Sequence, residues 1–163
     1  MTVPASRSEL LFEIAQFLYR EARYEDEHAY AKWEALWTDD GVYWVPANGD
    51  GGDPDKEMSI IYDNRSRIGL RVRQLLTGKH HTQEPQSRLR RIIGNVELMA
   101  EEGDALRVGA NAIIFETSQR GDTLWAARNE YLLRRVEGTF RIAFKKVILV
   151  NNDKAIYTMS FLV

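Results

Sequence analysis

The chain has 163 residues, of which 44% are hydrophobic and 28% charged, and its formal net charge is −2. This composition is typical of a folded globular protein and fits one domain over residues 1–163. The chain has no cysteine, which excludes disulfides, thiolate nucleophiles, zinc fingers and iron–sulfur ligation. No apolar run approaches the roughly 20 residues of a membrane span, and residues 1–11 lack a signal-peptide pattern, so we expect a cytoplasmic protein that does not enter membranes.

Charge is distributed unevenly along the chain. Up to Asp63 there are 14 acidic residues and five basic ones, whereas residues 65–91 hold eight basic residues and a single acid, Glu84. A nucleic-acid-binding protein would be basic overall, so we expect no nucleic-acid partner. The bipolar pattern favours self-association or docking to another protein, although two solvated helix faces would produce the same pattern.

The N-terminal region predicts two helices. Ser6 and Glu9 have the spacing of a capping box, and apolar residues then recur at helical spacing to about Tyr24. A second, shorter helix is predicted over residues 28–36, ended by a turn at residues 38–41.

Two short strands and a third helix follow. The strands are predicted at residues 42–46 and 58–62, separated by a flexible glycine-rich loop at residues 47–55. Asp63 is expected to cap the third helix and Gly78 to close it. The apolar positions of this helix predict the buried stripe Ile68, Val72, Leu75 and Leu76.

The second half of the chain, residues 89–150, has the alternating pattern of a long antiparallel meander. Turns are predicted at residues 119–122 and 137–138. The last strand is expected to place on one face Phe140, Ile142, Phe144, Ile148 and Val150. Strands this long coil as they twist, so we predict an α+β fold in which three N-terminal helices cover a strongly curved, mainly antiparallel sheet to form a cone.

Three histidines are the candidates for metal binding. His80 and His81 are adjacent, so in an extended segment their side chains point to opposite sides. A site with two histidines and one carboxylate would need His28 and an acid to converge with one of them. The spacing does not favour this, and we predict no metal site.

Acid–base catalysis inside the cone is an alternative function. Asp40, or its neighbour Asp39, would act as the base, Tyr43 as a hydrogen-bond donor and His81 as the acid. This set would suit a stand-alone dehydratase, isomerase or cyclase. Against it, Asp40 lies in a predicted turn where aspartate commonly accepts backbone N–H groups.

A third alternative is a non-catalytic binder of small molecules. Five aromatic side chains at helix and strand spacing could line a pocket, but such a pattern is more typical of a hydrophobic core. These residues are Tyr30, Trp33, Trp37, Tyr43 and Trp44.

Arginines and an apolar C-terminal segment predict contacts with other subunits. Arginine makes two-pronged contacts with carboxylates and is enriched at protein interfaces, and an apolar chain end is unlikely to remain in water. The arginines could instead form ion pairs within the chain. The predicted interface residues are Arg65, Arg67, Arg71, Arg88, Arg90 and Phe161.

The order of these signals resembles the small, or beta, subunits of aromatic-ring-hydroxylating dioxygenases. The resemblance runs over nearly the full length, and each matching piece is weak alone. The pieces are residues 17–22, 33–40, 43–46, 60–65, 71–75, 77–78, 85–90, 94–96, 128–135 and 159–162. The chain departs from the family pattern at Asn64, where a second acid usually follows Tyr62-Asp63.

The resemblance implies a cone-shaped domain like that of nuclear transport factor 2. It also implies a mainly structural role: three such subunits assemble with three alpha subunits as an α3β3 hexamer, and the chain forms a trimer. The alpha subunit carries the Rieske 2Fe-2S cluster and the mononuclear iron, so no cofactor and no catalytic residue is expected in this chain. The expected function is therefore that of a non-catalytic subunit of an oxidoreductase that degrades aromatic compounds.

Overall fold

Three helices and six strands make up the described part of the chain. The computed structural model describes residues 6–77, 86–154 and 161–163. The helices are α1 (Arg7–Asp26), α2 (Tyr30–Glu34) and α3 (Arg65–Leu76). The strands are β1 (Trp37–Pro46), β2 (Ser59–Asp63), β3 (Arg88–Glu102), β4 (Ala105–Ser118), β5 (Gly121–Val136) and β6 (Thr139–Leu149).

The six strands form one mixed sheet in the order β2-β1-β6-β5-β4-β3. β3, β4, β5 and β6 pair antiparallel as the predicted meander. The predicted turns lie between β4 and β5 and between β5 and β6, although Gly121 and Asp122 of the first turn already belong to β5. Residues 103–104 connect β3 to β4. β1 extends the sheet by pairing parallel to β6, and β2 pairs antiparallel to β1. The α+β class with three N-terminal helices is therefore confirmed.

The predicted capping box begins α1. The backbone N–H of Glu9 donates to Ser6 Oγ at 3.2 Å, and the backbone N–H of Ser6 donates to Glu9 Oε2 at 2.6 Å. These bonds satisfy donors that the first helical turn leaves free. The helix continues to Asp26, beyond the predicted end at Tyr24.

The second helix is shorter than predicted, and a turn at residues 35–36 separates it from the next strand. α2 ends at Glu34, and β1 already begins at Trp37, whose partner in β6 is Ile142. The predicted turn at residues 38–41 is instead an irregularity within β1, where the register with β6 shifts. Gly41 fits there because a Cβ would lie 2.7 Å from the Trp37 ring. Residues that favour turns here form a bulge within a strand.

Helix α3 is capped by Asn64 and not by Asp63, which corrects the prediction. Asn64 Oδ1 accepts the backbone N–H of Arg67 at 3.0 Å. Asp63 is the last residue of β2 and accepts a 2.7 Å bond from Arg71. Ile68, Val72 and Leu75 are buried as expected, whereas Leu76 is exposed. The predicted closing residue Gly78, the loop with His80 and His81, and residues 155–160 lie outside the described residues.

A bulge in β6 reverses the predicted faces of its second half. The register with β5 shifts so that Leu132 faces Phe144 and Leu133 faces Ile142, leaving Ala143 as an extra residue. One extra residue moves all later side chains to the opposite face. Phe140 and Ile142 point inward as predicted, but beyond the bulge the buried residues are Lys145, Val147 and Leu149.

The core lies between the helices and one face of the sheet, here called the inner face. On β4 that face carries the predicted residues Val108, Ala110, Ala112 and Ile114, all buried. The five aromatic residues considered as a pocket lining are buried too, and Trp33, Trp37 and Tyr43 contact one another with ring centroids 5.4–5.8 Å apart. They are core residues. Within the described ranges, no helix is long and apolar enough to cross a membrane.

The glycine-rich loop after β1 is held by the buried side chain of Asn152. Its Nδ2 donates to the carbonyls of Gly49 (2.7 Å) and Pro46 (3.3 Å), and its Oδ1 accepts the N–H of Gly49 at 2.8 Å. The loop is therefore bonded to the chain beyond β6 near its start, which the sequence pattern did not indicate.

Replacing Asn152 by alanine should lower the free energy of unfolding by about 1–3 kcal/mol, because the buried carbonyl of Pro46 and the partly buried backbone groups of Gly49 lose their partners. Chemical denaturation measures this loss, and limited proteolysis should show faster cleavage within residues 47–58. Asn151→Ala, one residue away and without a side-chain bond in the described structure, is the matched control. Equal stability of the two variants would contradict the assigned role of Asn152.

Candidate functional site: a buried ion-pair network

Helix α1 carries two glutamates on its buried face. Glu21 and Glu25 lie one turn apart, in line with Phe17, and each residue is no more than 2% exposed. Trp33 Nε1 donates to Glu21 Oε2 at 3.1 Å. Buried carboxylates require such partners because the loss of water is costly.

Lys145 on β6 is the central cation of this site. Its Nζ lies 2.7 Å from Glu21 Oε2 and 3.4 Å from Glu25 Oε2, and the residue is fully buried. Burial alone would lower the pKa of Lys145. The adjacent carboxylates of Glu21 and Glu25 outweigh burial and raise this pKa well above its ordinary value. Lys145 is therefore a fixed positive charge and not a proton donor at neutral pH.

Arg91 on β3 extends the network to the end of α1. Its Nε and backbone N–H donate to the two carboxylate oxygens of Asp26 at 2.7 and 3.0 Å, and its Nη1 lies 3.3 Å from Glu25 Oε2. Its Nη2 donates to the carbonyl of Leu162 at 3.0 Å. Burial tends to lower the pKa of Arg91, but Glu25 and Asp26 raise it overall. One guanidinium thus joins α1, β3 and residues 161–163.

Two tyrosines complete the interior. The Tyr131 hydroxyl donates to Glu21 Oε1 at 2.7 Å. The Tyr43 hydroxyl donates to the Val163 backbone oxygen at 2.7 Å and accepts the Val163 N–H at 3.1 Å. Burial raises the pKa of Tyr43 to about 12 and, together with Glu21, that of Tyr131 well above its ordinary value. Both hydroxyls remain protonated and act as structural hydrogen-bond groups.

The network has one more acid than base. Glu21, Glu25 and Asp26 face the two cations Arg91 and Lys145. Burial, reinforced by the nearby Glu21 charge, outweighs Arg91 and Lys145 and raises the pKa of Glu25 to about 7. The site can therefore hold or release a proton near neutral pH, but the Glu25 side chain is 2% exposed. This arrangement suits structural cohesion better than chemistry on a substrate.

The alternative catalytic residues do not form a common site. Asp40 is exposed on β1, where its carboxylate accepts 2.8 Å bonds from Arg134 and a 2.7 Å bond from the Thr38 hydroxyl. The bond from Arg134 is the main reason that the pKa of Asp40 is lowered. Tyr43 is fully buried and bonded to Val163, while His81 lies outside the described residues. Asp40 is thus an ionised surface carboxylate away from the interior.

His28, the histidine that the structure describes, is bonded within the chain. Its Nδ1 lies 2.6 Å from the Tyr30 hydroxyl and its Nε2 lies 2.9 Å from the Ser87 carbonyl oxygen. Across residues 6–77, 86–154 and 161–163, no three histidine, aspartate or glutamate side chains are grouped to hold a metal ion.

Two of the predicted interface arginines form ion pairs within the chain. Arg65 Nη1 lies 3.0 Å from Glu34 Oε1, and Arg71 Nε lies 2.7 Å from Asp63 Oδ2. Arg67 donates a longer, 3.4 Å bond to the carbonyl of Tyr62. The first two side chains tie α3 to α2 and β2, so part of their charge is neutralised inside the chain.

The other predicted interface residues differ in exposure. Arg88 and Arg90 are exposed at the start of β3, without a carboxylate partner in the described part of the chain. Phe161 is 5% exposed and packs on Trp125, with ring centroids 5.6 Å apart. Arg88 and Arg90 are free to contact another subunit, whereas little of Phe161 could reach one.

The buried network was not predicted from the sequence, although the spacing of its two glutamates indicates part of it. Glu21 and Glu25 follow Phe17 at intervals of four residues and therefore lie on its helix face. An acidic pair on a buried helix stripe predicts a buried cation. The sequence alone does not identify Lys145 as that cation. The bulge at Ala143 moves the Lys145 side chain to the face opposite to the one that regular strand alternation predicts.

Comparison of this chain with known proteins identifies its family. A family model described as "Ring hydroxylating beta subunit" matches residues 20–153. This chain belongs to the beta-subunit family of ring-hydroxylating dioxygenases. Beta subunits of these systems lack the Rieske and iron centres, which reside in the alpha subunit.

Relatives in the beta-subunit family match most of the chain. The small oxygenase component of the p-cumate 2,3-dioxygenase system of Pseudomonas putida is 26% identical over 155 residues, 91% of this chain and 86% of the relative. Toluate 1,2-dioxygenase subunit beta of Pseudomonas putida is 29% identical over 144 residues, 85% of this chain and 89% of the relative. The family resemblance derived from the sequence is therefore confirmed.

A solved structure of the beta-subunit family has the same fold. The beta subunit of benzoate 1,2-dioxygenase from Burkholderia mallei matches with a TM-score of 0.74 at 26% identity, covering 93% of this chain and 95% of that chain. The predicted fold, like that of nuclear transport factor 2, is confirmed.

Proposed function

We propose that this chain is a non-catalytic assembly subunit in the terminal oxygenase of a multicomponent aromatic-ring-hydroxylating dioxygenase. Three copies would support three alpha subunits in a cytoplasmic α3β3 hexamer. The alpha subunits would supply the Rieske cluster and the mononuclear iron and would bind the aromatic substrate. Membership of the beta-subunit family supports this role.

The proposal is supported mainly by the way in which the polar side chains of the interior are bonded to one another. The buried acidic and basic side chains of α1, β3 and β6 are bonded to one another, and the hydroxyls of Tyr43 and Tyr131 are bonded to Val163 and Glu21. A catalytic group must lie within hydrogen-bond reach of the proton that it transfers. These side chains are already hydrogen-bonded or ion-paired with other groups of the same chain. An interior of this kind stabilises a scaffold.

Reconstitution with the alpha subunit tests the proposal. Co-purification should give a complex with equal numbers of the two subunits, measured by light scattering. Substrate-dependent oxygen consumption, assayed with the electron-transfer components, should require both subunits. The isolated chain should show no turnover. An alpha subunit that is fully active alone and forms no complex with this chain would overturn the proposal.

The variant Asp40→Asn is the control for catalysis by this chain. It removes the exposed ion pair with Arg134 and should leave the oxygenase activity of the complex unchanged. Turnover by the isolated chain that is lost in Asp40→Asn would instead support the dehydratase, isomerase or cyclase alternative.

A further inference from the structure

Residues 161–163 lie in the hydrophobic core with an irregular backbone conformation, outside the helices and strands. Phe161, Leu162 and Val163 are each no more than 5% exposed. Their side chains are apolar, so this segment can form hydrogen bonds only through its main-chain atoms. We call residues 161–163 the buried tripeptide.

Side chains from two strands bind the main chain of the buried tripeptide. Arg91 Nη2 on β3 donates to the Leu162 carbonyl at 3.0 Å. The Tyr43 hydroxyl on β1 donates to the Val163 backbone oxygen at 2.7 Å and accepts the Val163 N–H at 3.1 Å. Backbone carbonyl and N–H groups are common to peptides of different sequence. These bonds therefore recognise the backbone of the segment and not its side chains.

An aromatic side chain of β5 supplies an apolar contact. The rings of Trp125 and Phe161 pack edge to face, with centroids 5.6 Å apart and an angle of 71° between their planes. Such a pair is more favourable than the burial of its area alone. We call Tyr43, Arg91 and Trp125 the tripeptide site. It combines backbone recognition with a preference for an aromatic residue at the first position.

Two members of the tripeptide site are positioned by groups outside the buried tripeptide. Arg91 forms ion pairs with Glu25 and Asp26 at the end of α1. Trp125 Nε1 donates to Glu116 Oε1 on β4 at 3.1 Å. The guanidinium and the indole ring are therefore fixed by their own partners.

The third member, Tyr43, is fixed by its aromatic neighbours. Its ring packs against Trp33 and Trp37, with centroids 5.7 and 5.8 Å apart. The three side chains of the tripeptide site are thus held in place independently of the segment that they bind. Such preorganisation lowers the entropic cost of binding a ligand.

We infer that the tripeptide site is a binding site for a short apolar peptide, and that residues 161–163 occupy it within the same chain. A peptide with an aromatic residue followed by two aliphatic residues would take their place once they are displaced. The attached segment competes strongly because its effective concentration at the site is high. This inference does not depend on the assembly role proposed above, because it concerns the interior and not contacts between subunits.

A full-length variant with a weakened buried tripeptide tests the inference. Phe161→Ser with Leu162→Ser removes two apolar side chains and leaves the three side chains of the tripeptide site unchanged. The peptide acetyl-Phe-Leu-Val-amide should bind this double variant and raise its melting temperature, as measured by calorimetry and thermal denaturation. Its apparent Kd for the wild type should be at least about tenfold higher, because the attached segment occupies the site. A double variant that folds but does not bind the peptide would overturn the inference.

Two matched controls separate this site from general exposure of the core. Ile68→Ala with Leu75→Ala also removes two buried apolar side chains, but on α3, and this variant should not bind the peptide. Acetyl-Ser-Leu-Val-amide should bind the Phe161→Ser, Leu162→Ser variant at least about tenfold more weakly, because it lacks the ring that contacts Trp125. Equal binding in either comparison would contradict the assigned site.

Adding Tyr43→Phe to the double variant tests the backbone contact. This change removes the hydroxyl and keeps the ring, so the affinity for acetyl-Phe-Leu-Val-amide should fall about three- to tenfold. Unchanged affinity would place the peptide elsewhere and exclude the tripeptide site.

A refolding experiment decides the matter if Phe161→Ser with Leu162→Ser does not fold alone. Refolding with acetyl-Phe-Leu-Val-amide should then restore the near-ultraviolet circular dichroism of the wild type, and acetyl-Ser-Leu-Val-amide should not. Absence of recovery, or equal recovery with both peptides, would overturn the inference.

Discussion

Lys145→Met should destabilise the protein by about 3–5 kcal/mol, the cost of removing one partner of a buried ion pair. The methionine side chain fills a similar space, so the loss comes mainly from leaving Glu21 without its nearest cation and Glu25 with Arg91 as its remaining cation. Chemical denaturation at pH 7 measures the change in the free energy of unfolding. The loss should shrink at lower pH, where Glu25 becomes protonated.

Lys146→Met is the matched control for this variant. Lys146 lies next in the chain but points to the other face, with its Nζ 4.5 Å from the centre of the Trp44 ring, so its loss should cost far less. Adding Glu21→Gln to Lys145→Met should recover part of the lost stability, because one uncompensated buried charge is removed. A Lys145→Met variant as stable as Lys146→Met would show that the network does not hold the fold together.

Glu25→Gln should change how stability depends on pH. Because the pKa of Glu25 is raised from 4.5 to about 7 in the folded chain, its protonated form favours folding. This contribution is fully present below about pH 4.5 and is lost as pH rises through about 7. Relative to the wild type, Glu25→Gln should therefore gain stability as pH rises from about 4.5 to about 7, by at most about 1.4 kcal/mol per pH unit, and the difference should level off above pH 7.

The charged groups facing Glu25 determine the size of this effect. Glu21 on the same helix raises its pKa, whereas Arg91 from β3 and Lys145 from β6 lower it. Denaturation curves recorded from pH 5 to 8 should diverge for the wild type and Glu25→Gln. Glu27→Gln, exposed just beyond the end of α1, should follow the wild type. A stability difference that does not vary with pH would contradict the assignment of the proton to Glu25.

The buried network also explains how residues 161–163 are held in the fold. Arg91 bonds to the end of α1 and to the Leu162 carbonyl, and Tyr43 bonds to Val163. Replacing buried ion pairs by apolar residues can be neutral or stabilising in other proteins. The distinctive property of this network is therefore its connectivity, because one cluster joins a helix, three strands and residues 161–163.

Regular elements were predictable where a single pattern runs without interruption. β4 and β5 pair over their full length without a register shift, so the alternation of Val108, Ala110, Ala112 and Ile114 predicts the inner face correctly. The Ser6 cap was predictable because its bonds are local. The prediction failed at residues 38–41, where turn-forming residues lie inside a strand that pairs with residues about one hundred positions later.

The amino-acid sequence alone determined the family, the meander, the N-terminal helices and the absence of cysteine ligands, because these depend on composition, local periodicity and the order of motifs. Only the tertiary structure decided which charged groups meet in the interior. The bulge at Ala143 turns Lys145 toward Glu21 and Glu25, and the packing of α1 on β3 brings Arg91 to Asp26 across 65 residues of chain. Such contacts depend on register and long-range packing, which local sequence patterns do not encode.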